Sequence, residues 1–204
     1  MSIVREGIPF ILVPLLVSIA TAILGLWYIT LFFLIVAAFM AYFFRDPKRI
    51  PPDDPKVVVA PADGRVTRVK TITAEPDSPT VVSIFLSPLD VHINRAPIAG
   101  KITDMAYTRG KFLMATNEMA SLVNEQNALT IQGEINVVCT QIAGILARRI
   151  VCWKKAGETL ALGERFGMIK FSSRTDLVLP ANVKVTVTEG ARVRGGTTVI
   201  GRIL

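Results

Sequence analysis

The chain has 204 residues, of which 51% are hydrophobic, and carries 23 Lys and Arg against 16 Asp and Glu, a net charge of +7. The apolar residues concentrate near the N-terminus, where residues 9–44 contain no charged side chain. Because Arg5 and Glu6 cancel, the whole positive surplus belongs to residues 45–204. This distribution excludes a purely soluble protein, and also a membrane protein that has no soluble domain.

Residues 1–44 are predicted to form a membrane anchor. As one helix, residues 9–44 would be about 54 Å long, against a hydrocarbon core of about 30 Å. Gly25 provides a natural break, which predicts a helical hairpin of two apolar segments near 8–24 and 27–44. The apolar run is too long for a cleaved signal peptide and ends in bulky side chains.

Positive charge flanks the anchor, with Arg5 before it and Arg45, Lys48 and Arg49 after it. With an even number of crossings, the positive-inside rule predicts a cell-membrane protein whose domain lies on the cytoplasmic side. Anionic lipid headgroups are then the expected partner of the basic surplus. Nucleic acid is not expected, because no run of Lys and Arg is longer than two and no aromatic residues interleave with them.

Residues 45–56 are predicted to be a proline-rich linker, and residues 57–204 a mainly β domain (α+β at most) of short strands spaced by glycines. No helical period of useful length follows residue 50, and the polar stretch 111–128 predicts a helical turn or an ordered loop. β-branched and alternating runs predict strands at 57–60, 65–69, 81–86, 101–107, 129–131, 135–141, 146–151, 177–180, 183–188 and 199–200.

Few residues of the domain offer reactive chemistry. His92 is the single histidine and the natural proton carrier near neutral pH, although a lone histidine is more often structural. Asp63 lies in a tight Ala-Asp-Gly turn, where turn formation alone accounts for it. Ser172 and Ser173 fall in a polar segment predicted to be a loop, without a nucleophile-elbow glycine pattern. No metal-ligand cluster, P-loop or dinucleotide-binding glycine pattern is present in the sequence, so no external cofactor or metal is expected.

An ordered set of short motifs runs through the domain and into the anchor. The motifs are FRDP at 44–47, APADG at 60–64, DVH at 90–92, RAP at 95–97, NE at 124–125, QIAG at 141–144, ARRI at 147–150 and GERFGMIKFSSR at 163–174. Together they resemble the phosphatidylserine decarboxylase proenzymes, specifically the short, membrane-anchored form.

The resemblance implies that a serine becomes the cofactor. Ser173 would attack the carbonyl of Ser172, and the chain would split into a β chain, 1–172, and an α chain, 173–204, that begins with a covalent pyruvoyl group. His92 would serve as base and proton donor, and Asp63 would orient it. The mature enzyme would convert phosphatidylserine to phosphatidylethanolamine and CO2 in phospholipid biosynthesis.

The sequence departs from the family pattern in two places. The family usually has Gly before the attacking serine, where this chain has Ser172. Two expectations stay open: the loss of the flexible glycine slows or blocks self-cleavage, or the Ser-Ser junction is cut, as in the pyruvoyl histidine decarboxylases. Longer members carry a second histidine where Arg95 stands here, so His92 would serve both cleavage and decarboxylation, with Arg95 as a possible supporting residue.

Two alternatives stay open at this point. The substrate could be an ether lipid that bears phosphoserine, which would make the chain an archaetidylserine decarboxylase. From a different class, a non-enzymatic membrane adaptor or carrier module of biotinyl- or lipoyl-like fold would also begin with a Val-x-Ala-Pro-Ala-Asp-Gly-x-Val turn. The sequence leaves the formation of a homo-oligomer open as well.

Overall fold

The computed structural model describes residues 2–73, 78–114, 117, 119–145, 149–170 and 173–204. The chain divides into two compact units, Met1–Lys48 and Arg49–Leu204.

The first unit is a helical hairpin. Its elements are β1 (Ser2–Ile3), a 3-10 turn (Arg5–Gly7), α1 (Ile8–Ile23), α2 (Trp27–Phe43) and β2 (Arg45–Asp46). The reversal between α1 and α2 occurs at Gly25, whose φ of +73° suits glycine. Hydroxyls of Thr21 and Thr30, one on each helix, lie 2.9 Å apart and join the helices near the turn.

The two ends of the hairpin are tied together. Antiparallel pairing sets Ser2 opposite Asp46 and Ile3 opposite Arg45. The predicted linker 45–56 therefore begins inside the first unit. By length and composition, residues 5–23 could cross a membrane, whereas α2 is apolar but shorter.

The second unit is built mainly from antiparallel strands. They are β3 (Val57–Val59), β4 (Gly64–Thr71), β5 (Thr80–Leu86), β6 (Ile93–Arg95), β7 (Gly100–Thr108), β8 (Gln126–Gln132), β9 (Asn136–Ala143), β10 (Ile150–Cys152), β11 (Thr159–Leu160), β12 (Arg165–Ile169), β13 (Ser173–Leu179), β14 (Val183–Val185), β15 (Arg192–Val193) and β16 (Val199–Ile203). One helical turn, α3 (Ala120–Val123), lies in the stretch predicted to hold a turn or loop.

The strands form three sheets. The large sheet has eight strands in the order β11-β7-β8-β9-β13-β5-β4-β15. Two three-stranded sheets have the orders β10-β12-β6 and β14-β16-β3. One apolar core joins side chains from all three sheets, among them Val58, Ile84, Leu129, Phe166 and Leu177. The prediction of a mainly β domain behind an apolar helical segment is confirmed.

Candidate active site

Ser173 is the first residue of β13, which lies between β5 and β9 in the large sheet. It stands opposite Leu86 on one neighbour and Ala143 on the other. Its side chain is fully buried, and within the described part of the chain its Oγ has no hydrogen-bond partner. The hydroxyl that was predicted from the sequence to be the nucleophile therefore lies in the interior of the domain.

The prediction that Ser173 lies in a loop was wrong, because β13 starts at Ser173 and not at Leu177. A central strand buried on both faces does not show the apolar-polar alternation of a half-exposed strand. The polar side chains that follow Ser173 have partners. Arg174 and Asp176 form an ion pair, with Nε and Oδ1 2.6 Å apart, and Thr175 accepts a hydrogen bond from Asn94.

His92 immediately precedes β6 and is almost completely buried. Its Nδ1 lies 2.9 Å from the carbonyl oxygen of Asp90. A carbonyl oxygen can only accept, so this contact assigns the proton of a neutral imidazole to Nδ1 and makes Nε2 the basic nitrogen. The ring is thus prepared to take or deliver a proton through Nε2.

Strand pairing brings the start of β6 beside the end of β12. The strands are antiparallel, and the backbone N–H of Ile169 donates to the carbonyl of His92 at 3.3 Å. Ile169 precedes Ser173 by four residues. His92 therefore lies next to the segment that leads directly into Ser173.

A buried polar chain joins β6 to β13. Asn127 Nδ2 donates to Gln141 Oε1 at 3.1 Å, and Gln141 Nε2 donates to Asn94 Oδ1 at 2.8 Å. Asn94 Nδ2 in turn donates to Thr175 Oγ1 at 2.9 Å. All four side chains are buried, where such groups need partners. The chain of hydrogen bonds holds β6, of a three-stranded sheet, against β13 of the large sheet.

Asp63 lies in the turn before β4 and is held by two partners. Its Oδ2 lies 2.7 Å from Arg49 Nη2, and its Oδ1 accepts the backbone N–H of Gly195 at 2.8 Å. Burial raises the pKa of the Asp63 carboxyl, although Arg49 and the Gly195 N–H oppose the shift. The charge of Asp90, in the turn that precedes His92, also raises this pKa. The orienting role of Asp63 stays a prediction.

Arg95 is buried at the end of β6. Its Nη1 donates to the carbonyl of Gly163 at 3.2 Å, and its backbone N–H donates to the carbonyl of Pro61 at 2.9 Å. These contacts join Arg95 to the Gly163 turn and to the turn that carries Asp63. Its supporting role in catalysis stays a prediction.

Ser172, the other half of the predicted cleavage site, lies outside the described residues. Within the described ranges, no three His, Cys, Asp or Glu side chains come together in a way that could hold a metal ion.

Sequence reasoning missed the residues that support the candidate site. Arg49 falls in the predicted linker, yet it is the ion-pair partner of Asp63. Asn94, Asn127 and Gln141 lie far apart in the chain, and no local pattern marks them as partners. The only signal was the presence of amides inside strands, where an interior position requires a hydrogen-bonding partner.

A family model described as phosphatidylserine decarboxylase matches residues 36–201. The chain is 47% identical to a phosphatidylserine decarboxylase proenzyme of Pelodictyon phaeoclathratiforme over 167 residues, which cover 80% of this chain and 79% of the relative. It is 39% identical to a proenzyme of the same name from Desulfotalea psychrophila over 99% of this chain and 97% of the relative. A third such proenzyme, from Geotalea uraniireducens, is 40% identical over 98% of this chain and 95% of the relative.

Proposed function

The chain belongs to the phosphatidylserine decarboxylase family, and on that premise we propose that it becomes active by cutting its own backbone between Ser172 and Ser173. The family reaction removes CO2 from phosphatidylserine and leaves phosphatidylethanolamine, so the chain is an enzyme, a carboxy-lyase. This assignment removes the adaptor and carrier alternatives, neither of which requires catalysis.

The cut begins at the hydroxyl of Ser173. Its Oγ attacks the carbonyl carbon of Ser172, the peptide C–N bond breaks, and the freed amine takes a proton, which leaves an ester between the two residues. Removal of the Cα proton of residue 173 then expels the carboxylate of residue 172. Water converts the resulting dehydroalanine to a pyruvoyl group with release of ammonia. The products are a chain 1–172 and a chain 173–204.

The buried Oγ of Ser173 is the observation that carries this proposal. A buried hydroxyl without a partner costs about 1–3 kcal/mol, and Ser173 Oγ has none among the described residues. A hydroxyl that must attack a neighbouring carbonyl gains from such a position, because no competing hydrogen bond has to break first. The residues present therefore fit a pyruvoyl group derived from Ser173.

We assign the proton transfers to His92. The hydrogen bond from Nδ1 to the carbonyl of Asp90 fixes the ring and makes Nε2 the nitrogen that takes up or delivers a proton. Its position beside the end of β12 suits both the cut and the later protonation of the substrate carbon. In this proposal Asp63 acts through the electrostatics of the 87–92 turn and favours the charged imidazolium.

The pyruvoyl group supplies the electron sink for decarboxylation once it has formed. The surrounding chain holds the group in position and excludes bulk water from it. Ser173 starts a strand that is paired on both sides, so the new chain end is held in place. The burial of Ser173 and His92 keeps bulk water from the reacting carbon.

The helical hairpin of the first unit suits a lipid substrate. Its paired ends, Ser2–Ile3 and Arg45–Asp46, require the chain to enter and leave the hairpin at one side of a bilayer. The cations Arg5, Arg45 and Lys48 at those ends favour the cytoplasmic side. We therefore place the catalytic unit at the cytoplasmic face of the cell membrane.

Denaturing mass spectrometry of the purified protein tests the proposal. We expect two chains that meet at 172/173, the smaller one lacking a free amine and gaining mass with borohydride. Ser173→Ala should abolish the cut, while Ser83→Ala, which removes another fully buried serine hydroxyl from the adjacent strand, should leave it intact. If Ser173→Ala protein still splits and turns over phosphatidylserine, the nucleophile is wrongly assigned.

A further inference from the structure

Lys111 and Asn124 close a loop at the Ser173 end of the large sheet, and the structure describes its residues 111–114, 117 and 119–124. Its two ends meet: the N–H of Lys111 donates to the carbonyl of Val123 at 2.6 Å, and the N–H of Glu125 donates to the carbonyl of Lys111 at 3.0 Å. A side chain at Gly110 would collide with the backbone of Val123, so the closure depends on that glycine. Compact loops of this kind, with joined ends, often carry function.

The buried amide of Asn124 fixes this loop to the site. Its Oδ1 accepts the N–H of Leu113 at 2.9 Å, and its Nδ2 donates to the carbonyls of Leu113 at 2.9 Å and Ala143 at 2.8 Å. Ala143 is the residue that stands opposite Ser173. The loop is therefore anchored directly to the strand position beside the nucleophile.

Phe112 makes a second attachment from the same loop. It packs against the buried pair Ala143 and Ile169. Ile169 is the residue whose N–H donates to the carbonyl of His92. The base of the loop thus contacts the neighbours of both proposed catalytic residues.

Large apolar side chains at both ends of this loop, and one shortly after Ala143, are exposed. Met114, Met119 and Leu122 are 61%, 50% and 74% exposed, and Ile145, two residues after Ala143, is 54% exposed. These four residues are called the apolar rim below. A soluble surface rarely concentrates large apolar side chains on a well-anchored segment without a partner that covers them.

Exposed cations stand beside the apolar rim. Arg109 and Lys111 lie at the start of the loop, and Arg149 lies next to the end of β12, where its carbonyl accepts the N–H of Lys170. Apolar side chains flanked by cations match the boundary between acyl chains and anionic headgroups. A protein partner would account for the apolar side chains but not for their place around a site that acts on a membrane lipid.

We propose that the apolar rim inserts into the bilayer surface and delivers lipid from the membrane to Ser173. This inference rests on the proposed function, because it takes the substrate to be a bilayer lipid. The apolar rim is then a membrane contact made by the unit that carries Ser173, in addition to the helical hairpin of the first unit.

Depth-dependent quenching tests the contact without any turnover. Leu122→Cys is labelled with an environment-sensitive dye and the full-length protein is reconstituted in phosphatidylglycerol/phosphatidylcholine vesicles. Leu204→Cys, at a position 77% exposed in the β14-β16-β3 region, is the matched control. Burial raises the pKa of the thiols of Cys139 and Cys152, so the introduced cysteine is the one that labels readily.

Brominated lipids should quench the dye at position 122 severalfold and leave the dye at 204 nearly unchanged. Equal quenching at both positions, or none at 122, overturns the proposal. Shielding of position 122 that depends on protein concentration and not on lipid also overturns it, because that result means contact between copies of the chain.

Enzyme turnover provides a second test of the membrane contact. Leu122→Glu should lower kcat/KM about tenfold for phosphatidylserine in vesicles and leave turnover of a water-soluble short-chain phosphatidylserine unchanged. Leu204→Glu should alter neither. Equal losses on both substrates contradict the proposal. If the wild type turned over neither substrate, the proposed function would fail, whereas the quenching would still decide the membrane contact.

Discussion

The side-chain amide of Asn94 donates a 2.9 Å hydrogen bond to the hydroxyl of Thr175, and each residue lies two positions after a proposed catalytic residue. Side chains alternate along an extended strand, so Thr175 projects to the same side of β13 as Ser173, while Asn94 lies in β6, the strand that follows His92. The Asn94–Thr175 bond therefore holds the strand that follows His92 against the strand that Ser173 begins.

Gln141→Leu tests this coupling. The change leaves Asn94 Oδ1 and Asn127 Nδ2 without their partner, at about 1–3 kcal/mol for each buried group. We expect a lower melting temperature in detergent, by about 5 °C or more, and slower self-cleavage. Gln132→Leu, at an exposed position on β8, is the control and should change neither. An unchanged cleavage rate in Gln141→Leu would show that the network does not position the site.

The buried pair of Arg174 and Asp176 should be costly to break on one side only. Both side chains are nearly inaccessible, and Arg174 also donates to Ser83 Oγ at 2.9 Å. Removing one partner of such a pair costs about 3–5 kcal/mol, because the other charge stays buried and uncompensated. Chemical unfolding should show this loss for Asp176→Leu and a substantial recovery in Arg174→Met/Asp176→Leu. A double variant no more stable than Asp176→Leu would contradict the ion-pair account.

Asp63 should give the enzyme a distinctive pH dependence. Because burial raises its folded-state pKa, the folded chain holds this proton more tightly than the unfolded chain does. Its contribution to the free energy of unfolding is then fully present below the unfolded pKa of about 3.9, and is lost as pH rises through the raised folded value.

Asp63→Asn isolates that contribution. Melting temperatures of wild type and variant, measured from pH 3.5 upward, should show the wild type losing stability relative to the variant across this window. Above the window the difference should stay constant. A difference that grew in favour of the wild type as pH rose would mean that Arg49 lowers the pKa more than burial raises it.

His92→Ala should strongly slow decarboxylation even in molecules that have been cut. A positioned proton donor contributes about 10²- to 10⁴-fold to a rate. The rate of CO2 release per pyruvoyl-bearing chain should therefore decrease by a factor in that range. The pyruvoyl content is counted by borohydride labelling on the same sample. Normal turnover per labelled chain would remove His92 from the reaction.

Local sequence patterns were sufficient for the helical hairpin and for many strands. Gly25 marked the reversal between two apolar segments, and the α1–α2 hairpin turns there. Alternation marked β4, where Val66 is buried between the exposed Arg65 and Thr67, and β-branched runs marked β5 and β9. Such features depend on neighbours within a few residues, which a sequence displays directly.

The site itself depended on contacts between distant segments. Asp63 reaches Arg49 across 14 positions and Gly195 across 132, and no local pattern predicts either contact. The same holds for β13, where Ser173 and Thr175 are polar yet fully buried because β5, β9 and the Asn94 amide surround them. Motif resemblance proposed Ser173 and His92 as the reacting residues, whereas the fold was needed to find the buried residues that contact their strands.

Every strand from β13 to β16 lies downstream of the proposed cut. β13 separates β9 from β5, β15 completes the edge beside β4, and β16 lies between β14 and β3. A cut at 172/173 would turn these strands into a separate subunit whose interface is the hydrophobic core of the domain. The two subunits would never have to meet by diffusion, because their association is complete while they are still one chain. Maturation would therefore change covalent connectivity and leave the quaternary contacts as folding made them.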